Sequence, residues 1–251
     1  MTTQEMHYDL KFKIDKVDSL DSDNFIPAEL DWILNEAQEI FIKQRYGLNN
    51  SKKLGFEEIQ KRTDDLRNLV IKSPTTLQPG VVPVQLSGGN TYEVKLSDLE
   101  FDYMFLIRGF VKLTKGTCTK MAKLVQQQHD DFNELEISED PFQTSSFDWG
   151  VIPILFGRTD TVADDKGSIY LYSEENVVPN EAYIEYIKWP NRLTIGGYNY
   201  IDGTAQPIMV NSDFSRHACR EIVDIAAAEL SRIILSSEYL ELKKQKNLIH
   251  E

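Results

Sequence analysis

The chain changes hydrophobic period twice. Apolar residues recur at helical spacing near both ends and at strand spacing between them, so the fold needs both kinds of element, with helices flanking a β-rich middle. The C-terminal pattern is the most regular. In EIVDIAAAELSRII, residues 221–234, Val223, Ala226, Ala227, Leu230, Ile233 and Ile234 fall at relative positions 0, 3, 4, 7, 10 and 11, the stripe of an amphipathic helix with one buried face. Ile225, Ala228 and Leu235 fall on or near the opposite side, among Glu221, Asp224 and Arg232. They are either isolated exposed side chains, which folded proteins carry routinely, or the contact of a second surface.

The first third reads as helical. Leu10, Ile14 and Val17 keep helical spacing, DSLDSDNF breaks the pattern, and Pro27 suits the first turn of a helix whose Leu30, Ile33, Leu34, Ala37, Ile40 and Phe41 make one face, ended by Gly47. FEEIQKRTDDLRNLVIK is expected as a third helix with Ile59, Leu66 and Val70 inward, stopped by Pro74, so that two long helices form an antiparallel hairpin. The period then becomes strand-like. VVPVQLSGGNTYEVKL reads as two strands around Ser87, Gly88, Gly89 and Asn90, and MFLIRGFVKLTKG, TKMAKLVQ, VIPILFG, SIYLYS and AYIEYIKWPNRLTIGGYNYI continue it. Ser212, Asp213 or Ser215 can cap the closing helix. The expected fold class is α+β: a helical bundle from the N-terminal helices and the C-terminal helix (1–75 with 211–251), with an inserted antiparallel β-rich unit (76–210).

Composition narrows the function. At 251 residues and 41% hydrophobic content the chain can fill a core. No apolar run approaches the roughly 20 residues that cross a bilayer, and MTTQEMHYDLKFKID has no apolar signal region, which leads to the expectation of a cytoplasmic origin without a membrane partner. Cys118 and Cys219 are expected as reduced, buried thiols. A formal charge of −13 argues against a surface given over to nucleic acid. The charge is uneven. Residues 43–72 hold eight basic side chains, Lys61, Arg62 and Arg67 among them, against four acidic ones, a local +4 that leaves −17 for the rest. Residues 124–157 contain no Lys or Arg, while Asp130, Asp131, Glu134, Glu136, Glu139, Asp140 and Asp148 all fall there. The bland account of either block is a solvated face.

The usual catalytic signatures lack their parts. Gly88-Gly89 and Gly196-Gly197 are not followed by Lys-Ser/Thr and do not open a helix, so neither is a phosphate loop. There is no H-E-x-x-H, C-x-x-C or G-x-S-x-G. His217 and Cys219 lie two apart on a helix and point to different sides, which rules out a nucleophile pair. His129, Asp130, Asp131, Glu134 and Glu136 offer oxygens for a hard cation or paired carboxylates, but lack the glycine of a calcium loop, as does DDKGS at 164–168. No metal, cofactor or catalytic residue is therefore assigned, and Trp32, Trp149 and Trp189 are read as core or interface aromatics.

Three stretches carry a resemblance: LNEAQEIFIKQRYG with FEEIQKRTDDLRNLV, then LVQQQHDDFNELEISEDPF, then AYIEYIKWPNRLTI followed by HACREIVDIAAAEL. In order and spacing the chain resembles the structural ring proteins of crAss-like tailed bacteriophages, which sit in the connector between portal and tail. The resemblance implies a non-enzymatic virion protein, assembled in the host cytoplasm, that closes into a homo-oligomeric ring, twelve-fold like a portal. Genomic DNA would pass through it without specific binding, with the portal and neighbouring ring or tail proteins as partners. A ring gives each subunit two different surfaces, because the contact is heterologous. Ile225, Ala228 and Leu235 then face a neighbouring chain, and Lys61, Arg62 and Arg67 suit docking on an acidic partner. The alternatives are a metal-dependent enzyme or lysis factor using the acidic residues 129–140, and a tail-side binding module.

Overall fold

In the computed structural model the described residues are 1–17, 25–46, 60–76, 78–79, 89–127, 151–157, 167–174, 176–199, 203–206 and 208–234, and they contain both helices and strands. Val70–Trp189 form one compact unit, and Met1–Leu69 with Pro190–Glu251 form the other. The α+β class holds. The expected helical bundle is not the body of the protein, however: a large sheet is.

That sheet has the order β1-β8-β4-β5-β6-β7-β3-β2. Its strands are β1 (Val70–Thr76), the two-residue β2 (Gln78–Pro79), β3 (Gly89–Lys95), β4 (Tyr103–Lys115), β5 (Cys118–Gln126), β6 (Val151–Gly157), β7 (Ser168–Glu174) and β8 (Val178–Lys188). Side chains alternate as a half-buried strand requires. On β8, Ala182, Ile184 and Tyr186 are buried while Glu181 and Tyr183 are exposed. Val94 on β3 shares one apolar cluster with Ile184 and Tyr186 on β8, although β4, β5, β6 and β7 lie between those strands in the sheet. The sheet therefore curls around its own core. Gly157 serves this packing, because a Cβ there would stand 2.6 Å from the Tyr170 ring. On the outer face Glu185 accepts from Arg108 at 2.6 Å and pairs with Lys72 at 3.0 Å, a cross-strand triplet over β4, β8 and β1.

Three expectations change here. The helix expected through Lys72 ends earlier: α3 is Gln60–Leu66, a 3-10 turn follows at Arg67–Leu69, and Val70 opens β1. Val70 and Ile71 are β-branched and pair with Ile187 and Tyr186, so strand pairing overrides the helical pattern. Pro74 breaks no helix; it lies in an edge strand, where a missing N–H is tolerated. The unit is also not purely antiparallel, because β5 and β6 pair in parallel. Parallel neighbours need a long connection, and β5 and β6 are well separated in sequence, ending at Gln126 and starting at Val151. The units divide at Leu69/Val70 and Trp189/Pro190 instead of 75/76 and 210/211. The hairpin expected around Ser87 lies mostly outside the described residues.

The helical unit contains α1 (Thr3–Val17), α2 (Pro27–Tyr46), α3 and the closing helix, labelled α4 (Arg216–Ile234), with a small hairpin of β9 (Tyr198–Asn199) and β10 (Ala205–Gln206). Thr2 and Glu5 start α1 by reciprocal capping: the Thr2 N–H donates to Glu5 Oε2 at 3.0 Å and the Glu5 N–H to Thr2 Oγ1 at 3.2 Å. Pro27 opens α2 as expected. Ser215 caps α4 by accepting the Ala218 N–H at 3.3 Å. α4 packs against both α1 and α2. Its buried stripe is Ala218, Cys219, Ile222, Val223, Ala226 and Leu230, and Phe214 just before it meets Phe41 of α2 edge-to-face at 5.5 Å.

Candidate interaction surface

Two polar clusters stand out in the helical unit, one buried and one open. The buried cluster lies on α2. Asp31 is fully buried, and its carboxylate accepts from the His7 ring at 2.6 Å, from the Ile195 N–H at 3.0 Å and from the Tyr198 hydroxyl. One turn on, Asn35 donates to the Leu193 carbonyl at 2.9 Å and accepts the Leu193 N–H at 2.7 Å. Gln38 donates to the Asn191 carbonyl at 3.4 Å and accepts from Ser212 Oγ at 3.2 Å. Three polar residues at i, i+4 and i+7 thus bind the backbone and side chains of the segment after Pro190, whose polar groups would otherwise be buried without partners. His7 is itself 5% exposed, and the cluster holds structure together instead of meeting a substrate.

Gly196 belongs to the same segment. It takes φ 78°, and a Cβ there would stand 2.9 Å from the Ile208 backbone, so the Gly196-Gly197 pair marks a close chain crossing.

The open cluster joins α3 to the start of α4. Arg45 of α2 pairs with Asp65 at 3.1 Å and with Glu221, and its guanidinium lies 4.7 Å from the centre of the Phe41 ring. Glu221 also accepts from Lys61 at 2.7 Å, with His217 at 3.2 Å. Burial acts to raise the Glu221 pKa; the Lys61 bond and the charges of Arg45, Lys61 and His217 outweigh it and hold the carboxyl below its usual range. Beside this network Gln60, Lys61, Asp64, Asp65, Arg67, Ser215 and His217 line an open depression. Arg216 and Arg220, one turn apart on α4, are exposed and make no ion pair among the described residues.

The structure brings some of the expected interface residues together. Lys61 and Arg67 line the same depression, Arg67 with Asp64 at 3.8 Å, and Arg62 is half-buried nearby on α3. Ile225 and Ala228 are half-buried, so their own chain already covers part of them. Ile225 lies one turn beyond Glu221, on the flank that Lys61 reaches. Leu235, the acidic cluster 129–140 and Trp149 lie outside the described residues. Trp32 and Trp189 are 48% and 41% exposed. Cys219 is buried, and burial raises its thiol pKa, but Cys118 is exposed, because it opens β5 directly after the Gly116 turn. Both are free thiols.

Among the described residues no three His, Cys, Asp or Glu side chains stand together as metal ligands, and no helix is long and apolar enough to cross a membrane. No known family model matches the chain, and no curated protein is significantly similar to it in sequence.

Proposed function

We propose that this chain is a structural virion subunit that closes into a ring in the portal-to-tail connector of a tailed bacteriophage of the crAss-like kind. The resemblance of its three stretches motivates the reading. The observation that carries it is the surface of the helical unit: Tyr8 and Phe12, one turn apart on α1, are 66% and 60% exposed, and Trp32 on α2 is 48% exposed, although the unit has a full core of its own. Large aromatic side chains on the surface suit a protein partner. The α1–α2 aromatics and the α4 flank with Ile225 and Ala228 are different patches, as a heterologous contact requires.

In this reading the subunit does no chemistry. It forms a ring, twelve-fold to match a portal, seated between the portal and the next ring or tail protein, and a net charge of −13 lets DNA pass without being gripped. The test is electron microscopy and sedimentation of the purified full chain at high concentration, alongside electron microscopy of virions. Closed rings of one size support the proposal. A chain that stays monomeric at every concentration and is missing from virion connectors overturns it.

A further inference from the structure

We infer that the open flank built by α3 and the first two turns of α4 docks the acidic residues 129–140 of a second copy of this chain; the inference rests on the ring reading and names one of its contacts. The start of α4 carries misplaced charge. Cations near a helix N-terminus oppose the helix dipole, and like charges one turn apart repel. Yet α4 begins with Arg216, His217 and Arg220 and has no acidic residue in its first turn. The charges of Arg216 and Arg220 are not absorbed locally. Glu221 is engaged by Arg45, Lys61 and His217, Asp65 by Arg45, and Asp64 by Arg67, whereas Arg216 and Arg220 make no ion pair among the described residues. The flank is therefore a basic patch on a chain of net charge −13.

The same chain contains the complement. Residues 124–157 have no Lys or Arg, and Asp130, Asp131, Glu134, Glu136, Glu139 and Asp140 fall within twelve consecutive positions of that stretch, 129–140. A heterologous contact joins two different surfaces of identical chains, so a basic patch and an acidic segment on one sequence suffice to close every joint. Duplex DNA is the other polyanion such a flank could take, and it is a separate outcome of the test.

A charge swap tests the contact. One variant carries Arg216→Glu and Arg220→Glu; the other carries Asp130→Lys, Asp131→Lys and Glu134→Lys. The first pair places acids at a helix N-terminus, which favours the helix, and circular dichroism confirms folding of both variants. Each variant alone is expected to self-associate about tenfold more weakly than wild type in sedimentation at low salt. An equimolar mixture regains assembly, because each reversed surface then meets its opposite on the other copy. Arg216→Lys with Arg220→Lys, which keeps the charge, assembles normally. Wild-type assembly by either charge-reversed variant alone overturns the contact and leaves the ring reading standing, and a mixture no better than its parts does the same. A wild-type chain that never associates overturns the ring reading and this contact together. Loss of random-sequence duplex DNA binding in the first variant, with self-association unchanged, also overturns the contact.

Discussion

Replacing Asp31 by Ala tests whether α2 holds the helical unit through its buried polar row. The carboxylate is fully buried and receives three donors, the His7 ring, the Ile195 N–H and the Tyr198 hydroxyl. Alanine strands all three. An orphaned buried donor costs about 1–3 kcal/mol, so three counted in full would cost about 3–9 kcal/mol. These figures overlap, since the donors share one acceptor group, so the expected loss is about 3–5 kcal/mol. Against a usual stability of about 5–15 kcal/mol that is a large fraction. At roughly 2–4 °C per kcal/mol for a chain of this size, the melting temperature falls by about 6–20 °C. Urea unfolding followed by far-ultraviolet circular dichroism gives the free energy. Asp31→Asn keeps one acceptor but aims an amide donor at another donor, and falls between wild type and Asp31→Ala. Glu36→Ala, exposed on the same helix, changes stability by less than about 0.5 kcal/mol. If Asp31→Ala costs under about 1 kcal/mol, the row does not anchor the segment after Pro190 and the reasoning fails.

Gly157→Ala pushes a methyl group against the Tyr170 ring and is expected to cost about 1–3 kcal/mol; Tyr170→Ala added to it gives a less than additive loss in a double-mutant cycle. The Glu221 carboxyl has a lowered pKa in the folded chain, so the unfolded chain takes up this proton first as pH falls. Its stabilisation is complete above the unfolded value of about 4.3 and is lost as pH drops through the lower folded value, so the gap in urea midpoint between wild type and Glu221→Gln closes over that acid window; a gap independent of pH contradicts the assignment. Leu230→Glu, at 1% exposure, is expected to unfold the helical unit, whereas Ile225→Glu at a half-buried position leaves circular dichroism near wild type and weakens assembly in sedimentation. Titration calorimetry with calcium, magnesium and zinc is expected to show no micromolar binding; binding abolished by Asp130→Asn would instead support the metal-dependent enzyme.

The legible parts of the fold were those where one physical signal acted alone. Pro27 and the stripe from Leu30 to Phe41 specify α2 locally, and the alternation in VKL and in AYIEYI marks β4 and β8 without reference to any other strand. The stretch from Arg67 to Pro74 misled because its apolar spacing suits a helix while Val70 and Ile71 find strand partners on β8, more than a hundred positions away in sequence. The parallel β5–β6 pair was hidden for the same reason, since nothing local to either strand states its neighbour. In the candidate surface, Lys61 and Arg67 were visible as part of a basic run. Arg216 and Arg220 were not, although their i, i+4 spacing at the start of an amphipathic helix was available to be read. The row Asp31, Asn35 and Gln38 escaped because its period matches that of the apolar stripe, and polar side chains on a helix are ordinarily assigned to solvent.

The two borders of the sheet bear on how copies of this chain can meet. An exposed strand edge invites another strand to pair with it, which would let subunits join by extending the sheet. Among the described residues one border is β1, which carries Pro74 and the charged Lys72, and the other is β2, which carries Pro79. A proline has no N–H to give, so each border lacks a ladder donor at its proline. Among the described residues strand addition is therefore disfavoured at both borders, which leaves side-chain contacts as the expected joint of a ring made from this chain. The helical unit has the means: exposed aromatics on α1 and α2, and a charged flank on α3 and α4. Contacts of that kind depend on charge and shape instead of backbone pairing, so assembly should weaken as salt screens the exposed charges over about 10 Å at 0.1 M. Sedimentation across a salt series checks this: assembly indifferent to salt would place the joint on the aromatic face alone and remove the α3–α4 flank from it.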